Sequence, residues 1–422
     1  MVIPFLLVGC RTQDANEPEP VVDLEADENP AEGDKIVEHE EVEDVQIKLQ
    51  FAGDVFIHAG PMEAARTGSN AFDFKPFLTH IRPFINGDLA IANMEVPVDA
   101  VGGNQNLGGF PNFNNPFEIL EALKYAGFNH LISANNHSFD MGMDGLINTV
   151  ANFERAGIAH TGMNRNQAEF DEHTIVDVGG INIGIIAYTD SVNGLEFMVP
   201  AASLPYAVRR FASHTLESIP QMAQDMAAIR AAGADLVVLA LHWGQEYGDE
   251  PTYMQRQVAR ALSEAGADVI MGKHSHTVHP MEWIEQDNGH RTLVMYSLGN
   301  FVADQTRLFN PANVDRLISH DSNNLMNMPF MGRTQFGMLV SLYVTKDANG
   351  IVSLGEATAL PTLCMRDFNG TTLGAVDNVA VLPLVNGQVP EFVADLDVIR
   401  WGEVAYEHIV NIVGREFIPA SD

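Results

Sequence analysis

From residue 45 onward the chain alternates short apolar runs with longer stretches of helical spacing, and each run stops abruptly at glycine, acid, asparagine or histidine. Residues 45–52 stop at Gly53-Asp54, 88–92 at Asn93-Met94-Glu95, and 130–134 at Asn135-Asn136-His137. Residues 235–241 stop at His242-Trp243-Gly244, and 268–271 at Gly272-Lys273-His274-Ser275-His276. Short runs rich in β-formers predict strands, and the stretches 116–126, 143–156, 218–232 and 252–265 predict helices. Two of these helices stop before Gly127 and Gly233, where a C′ glycine is expected. The pattern is that of a layered α/β protein. In open α/β sheets the ligand crevice lies outside the carboxyl ends of the strands. One polar cluster after a strand is ordinary turn chemistry. Five clusters at the same topological position point to a site.

Composition narrows the picture. The chain has 422 residues, 46% hydrophobic and 19% charged, enough apolar mass for a large core. No apolar run reaches the roughly 18 residues of a spanning helix. With 56 acidic against 23 basic residues the formal charge is −33, a field that repels a nucleic-acid backbone, so no nucleic-acid partner is expected. Two cysteines, Cys10 and Cys364, exclude a disulfide scaffold and a thiolate-rich zinc module, and Cys364 is expected as a buried thiol. Residues 1–9 are apolar and end at Cys10; Leu7-Val8-Gly9-Cys10 resembles the lipobox of a bacterial lipoprotein signal, although no Lys or Arg precedes it. That resemblance implies a lipid anchor on Cys10 and an exported protein held at the bacterial cell surface. Residues 11–47 carry 14 acidic and two basic residues. They cannot bury enough surface to fold, and their self-repulsion keeps such a tether extended. The expected organisation is a signal remnant (1–10), an acidic tether (11–45), a main domain (46–360) and a C-terminal extension packing on it (361–422).

His274 and His276 stand two residues apart, where an extended segment would turn both imidazoles to one side. Asp54, Glu95, Asn136 and His242 add carboxylate, amide and imidazole donors, too many for one tetrahedral ion. Two ions bridged by a carboxylate fit this mixed set. About 4 Å apart, two ions can clamp an in-line displacement at phosphorus.

Taken in order, Gly53-Asp54, Asn93-Met94-Glu95, Asn135-Asn136-His137-Ser138-Phe139-Asp140, His242-Trp243-Gly244, Lys273-His274-Ser275-His276 and Tyr296-Ser297-Leu298-Gly299-Asn300-Phe301 resemble the CapA family of capsule synthesis proteins. That family is concerned with poly-γ-glutamate and belongs to the calcineurin-like metallophosphoesterase superfamily. The resemblance implies a four-layer αββα fold with one or two divalent ions (Mn, Fe or Zn) at the strand ends. Carried over by position, Asp54 is a ligand of the first metal and Glu95 stands at the bridging position. Asn136, His242 and His274 serve the second metal and His276 the first. His137 is the general acid or phosphate-orienting imidazole, with Asp140 holding its ring. His58, Asn93, Asn135 and Lys273 are candidate substrate contacts, and Tyr296–Phe301 is expected to buttress the site. Three positions depart from the pattern. The histidine nearest Asp54 is His58, four residues on instead of two; glutamate replaces aspartate at position 95; and Gly-Lys-His-Ser-His replaces Gly-His-His-Pro-His.

The resemblance implies an exported metal-dependent hydrolase in poly-γ-glutamate or capsule synthesis or processing, with a metal-activated hydroxide as nucleophile and an anionic polymer or phosphoester as substrate. Two alternatives stand beside it: a non-enzymatic metal-binding scaffold working with membrane capsule-synthesis proteins, and a phosphodiesterase or nucleotide phosphatase. Elsewhere, the polar loop 104–115 could shape a substrate mouth, Arg209-Arg210 reads as a salt-bridged surface, 306–331 as a lid or adaptor, and 377–417 as a strand followed by an apolar helix at 403–413.

Overall fold

A computed structural model of the chain describes residues 44–100, 106–248, 250–305, 332–367 and 378–418. Cys10, nearly all of the tether and the 306–331 segment lie outside the described residues. In chain order the strands are β1 (Val45–Phe56), the short pair β2 (Arg66–Gly68) and β3 (Ala71–Phe72), β4 (Leu89–Met94), β5 (His130–Ile132), β6 (Ala159–Thr161), β7 (Thr174–Val178), β8 (Ile181–Thr189), β9 (Leu236–His242), β10 (Val269–Lys273), β11 (Met281–Glu285), β12 (Arg291–Met295), β13 (Asn300–Ala303), β14 (Phe336–Lys346), β15 (Val352–Asp367) and β16 (Asn378–Pro383).

They form two large sheets. The first runs β16-β15-β14-β1-β4-β5-β6, with β13 also pairing β1; the second runs β11-β12-β10-β9-β8-β7. The inner strands that deliver the polar clusters are parallel: β1 to β4, β4 to β5, and β9 to β8 and β10. A parallel strand covered on both faces must be apolar throughout. All seven positions of β9 are accordingly buried.

The sheets face each other across one core, with Phe51 and Ile91 of the first sheet meeting a cluster that includes Ile185, Val238 and Met271 of the second. Helix Glu118–Ala126 covers the outside of the first sheet, where Ile119, Leu120 and Leu123 join Ala90 and Ala92. Helices Ile219–Ala231 and Tyr253–Glu264 cover the second, with Met222, Met226, Val258 and Leu262 against Val237, Leu239 and Ile270. The result is a four-layer αββα sandwich. No helix among the described residues is long and apolar enough to cross a membrane.

The division at residue 360 needs correction. β15 runs straight through it, pairing β14 from Leu363 opposite Phe336 to Val352 opposite Lys346, so the C-terminal segment is the flank of the first sheet. The last helix, Leu396–Val413, starts earlier than position 403, because Val398 and Trp401 also enter the core between the sheets. Cys364 is buried and its thiol, pushed up to about 12 by burial, donates to the Ala303 carbonyl.

Two close approaches aim the first and last clusters. β1 slips register against β4 between Ala52 and Asp54, and the Asp54 N–H donates to the Gly299 carbonyl at 2.9 Å. A Cβ at Gly53 would overlap that carbonyl, so only glycine lets β1 come so near. Gly272 meets the Tyr296 carbonyl in the same way, one residue before Lys273.

Candidate metal centre

Five strand ends converge on one buried point. Asp54 lies in β1, Glu95 follows β4, Asn136 and His137 follow β5, His242 closes β9, and His274 and His276 follow β10. Asp54, Glu95 and His242 are 0% exposed and Asn136 and His276 1%. Their ligand atoms fall into two groups: Glu95, His242 and His274 in one, and Asp54, Glu95 and His276 in the other. Glu95 is common to both. Its Oε1 lies 3.6 Å from His242 Nε2 and 3.6 Å from His276 Nε2. Asn136 adds its Oδ1 to the first group, 2.9 Å from His242 Nε2, while its Nδ2 donates to Asn193 Oδ1 at 3.4 Å.

The two-apart histidines are not on an extended segment. His274 and His276 take φ of +98° and +58°, a left-handed region that side chains adopt at a cost. The loop therefore curls, and each imidazole enters a different ligand group instead of standing side by side.

These residues fit divalent cations. Glu95 Oε1 and His274 Nδ1 are buried and make no hydrogen bond, the condition of donors free for something other than a protein partner. Burial, with the charge of Asp54 next, holds the Glu95 carboxyl well above its usual range. Burial opposes ionisation of Asp54 too, but hydrogen bonds from His276 and Asn93 outweigh it and keep that carboxyl low. Burial and the neighbouring His274 push His242 well down, and burial with His276 pushes His274 down to about 3, so both rings are neutral bases. Neutral imidazole with carboxylate and amide oxygen suits Mn, Fe or Zn.

His137 stands beside the centre with Nδ1 bonded to Asp140 Oδ2 at 2.8 Å. The same oxygen accepts the Phe113 backbone N–H at 2.8 Å, which fastens the 106–115 loop to the histidine's partner. His137 and His276 open onto a cleft of about 790 Å³, walled by His58, Phe110, Asn193 and Tyr247 among others. Of the candidate substrate contacts, His58 lines this cleft, its Nδ1 against the Phe56 carbonyl at 2.9 Å. The other three lie beneath the ligands. Asn93 Nδ2 donates to Asp54 Oδ1 at 2.7 Å and to Glu95 Oε2 at 3.3 Å. Asn135 spends its amide on the Met94 carbonyl and the His137 N–H. Lys273 is 0% exposed, its Nζ 2.6 Å from the Ala134 carbonyl. Burial brings that ammonium down to about 7 against the pull of Asp54 and Glu95. It balances the buried carboxylates from below and does not wall the cleft.

Sequence reasoning passed over Asn193, Glu246, Tyr247 and Gln305, all of which line the cleft. Glu246 and Tyr247 follow His242-Trp243-Gly244 within four residues, a polar continuation that carried the signal. Asn193 and Gln305 sit in loops without a motif. Arg209 and Arg210 are spent on the surface as expected, against Asp225 at 3.9 Å and Glu196 at 3.1 Å.

Residues 48–305, a span containing every ligand above, match the family described as "Bacterial capsule synthesis protein PGA_cap". The PGA biosynthesis protein CapA of Bacillus subtilis is 34% identical over 223 residues, 53% of this chain and 55% of that protein. The capsule biosynthesis protein CapA of Bacillus anthracis is 28% identical over 272 residues, 64% of this chain and 62% of that one. The chain thus spans between about half and two thirds of the length of these relatives. The solved NAD nucleotidase of Haemophilus influenzae superposes with a TM-score of 0.40 at 11% identity, covering 90% of this chain and 65% of that one. Because the family match takes in more than half of the chain, including all the strands that deliver the centre, this protein belongs to the PGA_cap family of bacterial capsule synthesis proteins.

Proposed function

We propose that this chain is a metal-dependent hydrolase of the CapA type, acting on a phosphoester in capsule or poly-γ-glutamate synthesis or processing. One observation carries the reading: a single buried carboxylate, Glu95, belongs to two ligand groups that lie beside an open cleft. Divalent ions held there would supply Lewis acidity at phosphorus and a lowered pKa for water. The chain's own residues supply the rest. Asp140 fixes the His137 ring by Nδ1, which leaves Nε2 as the nitrogen that hands a proton to the departing oxygen. Asn136 is oriented by Asn193, and Asn93 braces Asp54 and Glu95 together, so the donor set is preorganised before substrate arrives. The lipobox-like Leu7-Val8-Gly9-Cys10 supports export and lipid anchoring at the cell surface.

A second reading, a non-enzymatic scaffold in a capsule assembly complex at the membrane, is favoured by the charge of −33 and by exposed Glu246 on the cleft wall, since both repel an acidic polymer. Hydrolysis of bis-p-nitrophenyl phosphate by the Mn-loaded full-length chain separates the two. We expect metal-dependent turnover that falls by roughly 10²- to 10⁴-fold in His137→Ala. Mn bound without turnover would abandon the phosphoesterase and leave the scaffold.

A further inference from the structure

We infer that Asn300 is the positioning residue of the Asp54, Glu95 and His276 group: its amide oxygen locks His276 in the tautomer that turns Nε2 toward an ion. The inference rests on the metal-centre reading above and concerns which nitrogen that centre uses.

β13 pairs in parallel with β1 so that Asn300 is the direct neighbour of Asp54. Asn300 Oδ1 lies 3.0 Å from His276 Nδ1, and Asp54 Oδ2 lies 3.3 Å from the same nitrogen. An asparagine can offer either end of its amide, but here the other end is committed. Nδ2 donates to Gln305 Oε1 and to the Thr334 carbonyl, both at 2.8 Å, which uses both of its protons. Oδ1 therefore faces the ring as an acceptor. With an amide oxygen and a carboxylate oxygen around it, Nδ1 carries the imidazole proton and Nε2 keeps the lone pair. Nε2 is the nitrogen nearer the shared carboxylate, 3.6 Å from Glu95 Oε1. The ring plane is held as well, stacked on Phe56 at 5.1 Å and 6°.

The bonded line continues outward. Gln305 Nε2 donates to the Tyr247 hydroxyl at 3.3 Å, and the Tyr247 N–H donates to the Ser275 carbonyl at 2.7 Å. Tyr247 and Gln305 line the cleft, so the orientation of a buried ligand is anchored in the substrate wall. The last motif of the chain, Ser297-Leu298-Gly299-Asn300, thereby acts on the first metal position and is more than a buttress.

The test uses full-length protein labelled with ¹⁵N-histidine. In metal-free wild type, long-range ¹H–¹⁵N correlation should show His276 protonated at Nδ1. In Mn titrations, Asn300→Leu, which removes the acceptor, should weaken one binding step by roughly 10- to 100-fold and leave the other unchanged. Asn300→Asp, which keeps an oxygen toward the ring but gives up both Nδ2 donations, should weaken that step less than Asn300→Leu and keep His276 protonated at Nδ1. A wild-type His276 protonated at Nε2, or both binding steps unchanged in Asn300→Leu, would overturn the inference. If Asn300→Leu fails to fold, the His276 tautomers of wild type and Asn300→Asp still decide it. Wild type that takes up no Mn would overturn the metal-centre reading instead, a result separate from the tautomer.

Discussion

Glu95 sits in both ligand groups, and that makes its substitution unlike that of any other residue in the centre. Glu95→Gln keeps the shape but removes the charge that both groups share. It should abolish both equivalents of bound Mn in equilibrium dialysis, whereas His242→Ala should remove one; a Glu95→Gln protein that still holds one equivalent would mean two independent sites. A buried histidine outside the centre adds to the acid sensitivity. His130, on β5 but outside the centre, is 0% exposed, with Nε2 on Thr161 Oγ1 at 2.9 Å. Burial, aided by His160, pushes it from 6.5 down to about 3. A depressed folded-state pKa means that the neutral ring's contribution is present above pH 6.5 and is lost as pH falls toward 3. Urea unfolding at pH 6.5 and pH 4.5 should show wild type losing about 2–3 kcal/mol more than His130→Asn, at ~1.4 kcal/mol per unit. Parallel losses in the two proteins would place the acid sensitivity elsewhere.

Single elements can be tested in the same manner. Helix Tyr253–Glu264 opens with a capping box in which Thr252 accepts from the Gln255 N–H at 3.2 Å and the Gln255 side chain accepts from the Thr252 N–H at 2.9 Å. Thr252→Ala should cost about 1 kcal/mol in denaturant unfolding; no change in the midpoint would show that tertiary packing alone holds that end. Gln255 also packs against Gly244, two residues after His242, so the cap borders the centre. This helix was legible in the sequence, as were β4, β5, β9 and β10, because parallel strands buried on both faces read as short apolar runs. β14 and β15 were not, since antiparallel strands on the flank lack the polar stop that marked the others, and their pairing is what removes the boundary at 360. Within the site, Glu95, Asn136, His137, His274 and His276 were legible as residues after strands, and Asp54 and His242 as the polar breaks in apolar runs, although β1 continues past Asp54 to Phe56 and β9 includes His242. The curl at His274 and His276 was not, because positive φ at histidine leaves no trace in spacing. Nor was the lock on His276, since it depends on which way an amide faces inside a fold.

The molecule as a whole carries a formal charge of −33, and its centre adds buried carboxylates that interact with the buried Lys273 ammonium. Cations that bind the folded chain and not the unfolded one must stabilise it. At a hundred times its Kd, Mn should add about 2.7 kcal/mol per site and raise the melting temperature, with EDTA reversing the gain. A melting temperature indifferent to both would remove metal from the account of this fold. The trade of partners along β1 reaches further. Its first eight residues pair with β14, between Phe336 and Lys346, and its end pairs with β13 at Asn300, so the strand bearing the earliest ligand waits for the latest third of the chain. Contacts spanning that much sequence form slowly and late. A ribosome releases Asp54 long before the strands that pair with its own. A cation held at that centre would meet its full surroundings only once Asn300 and residues 339–346 have paired with β1.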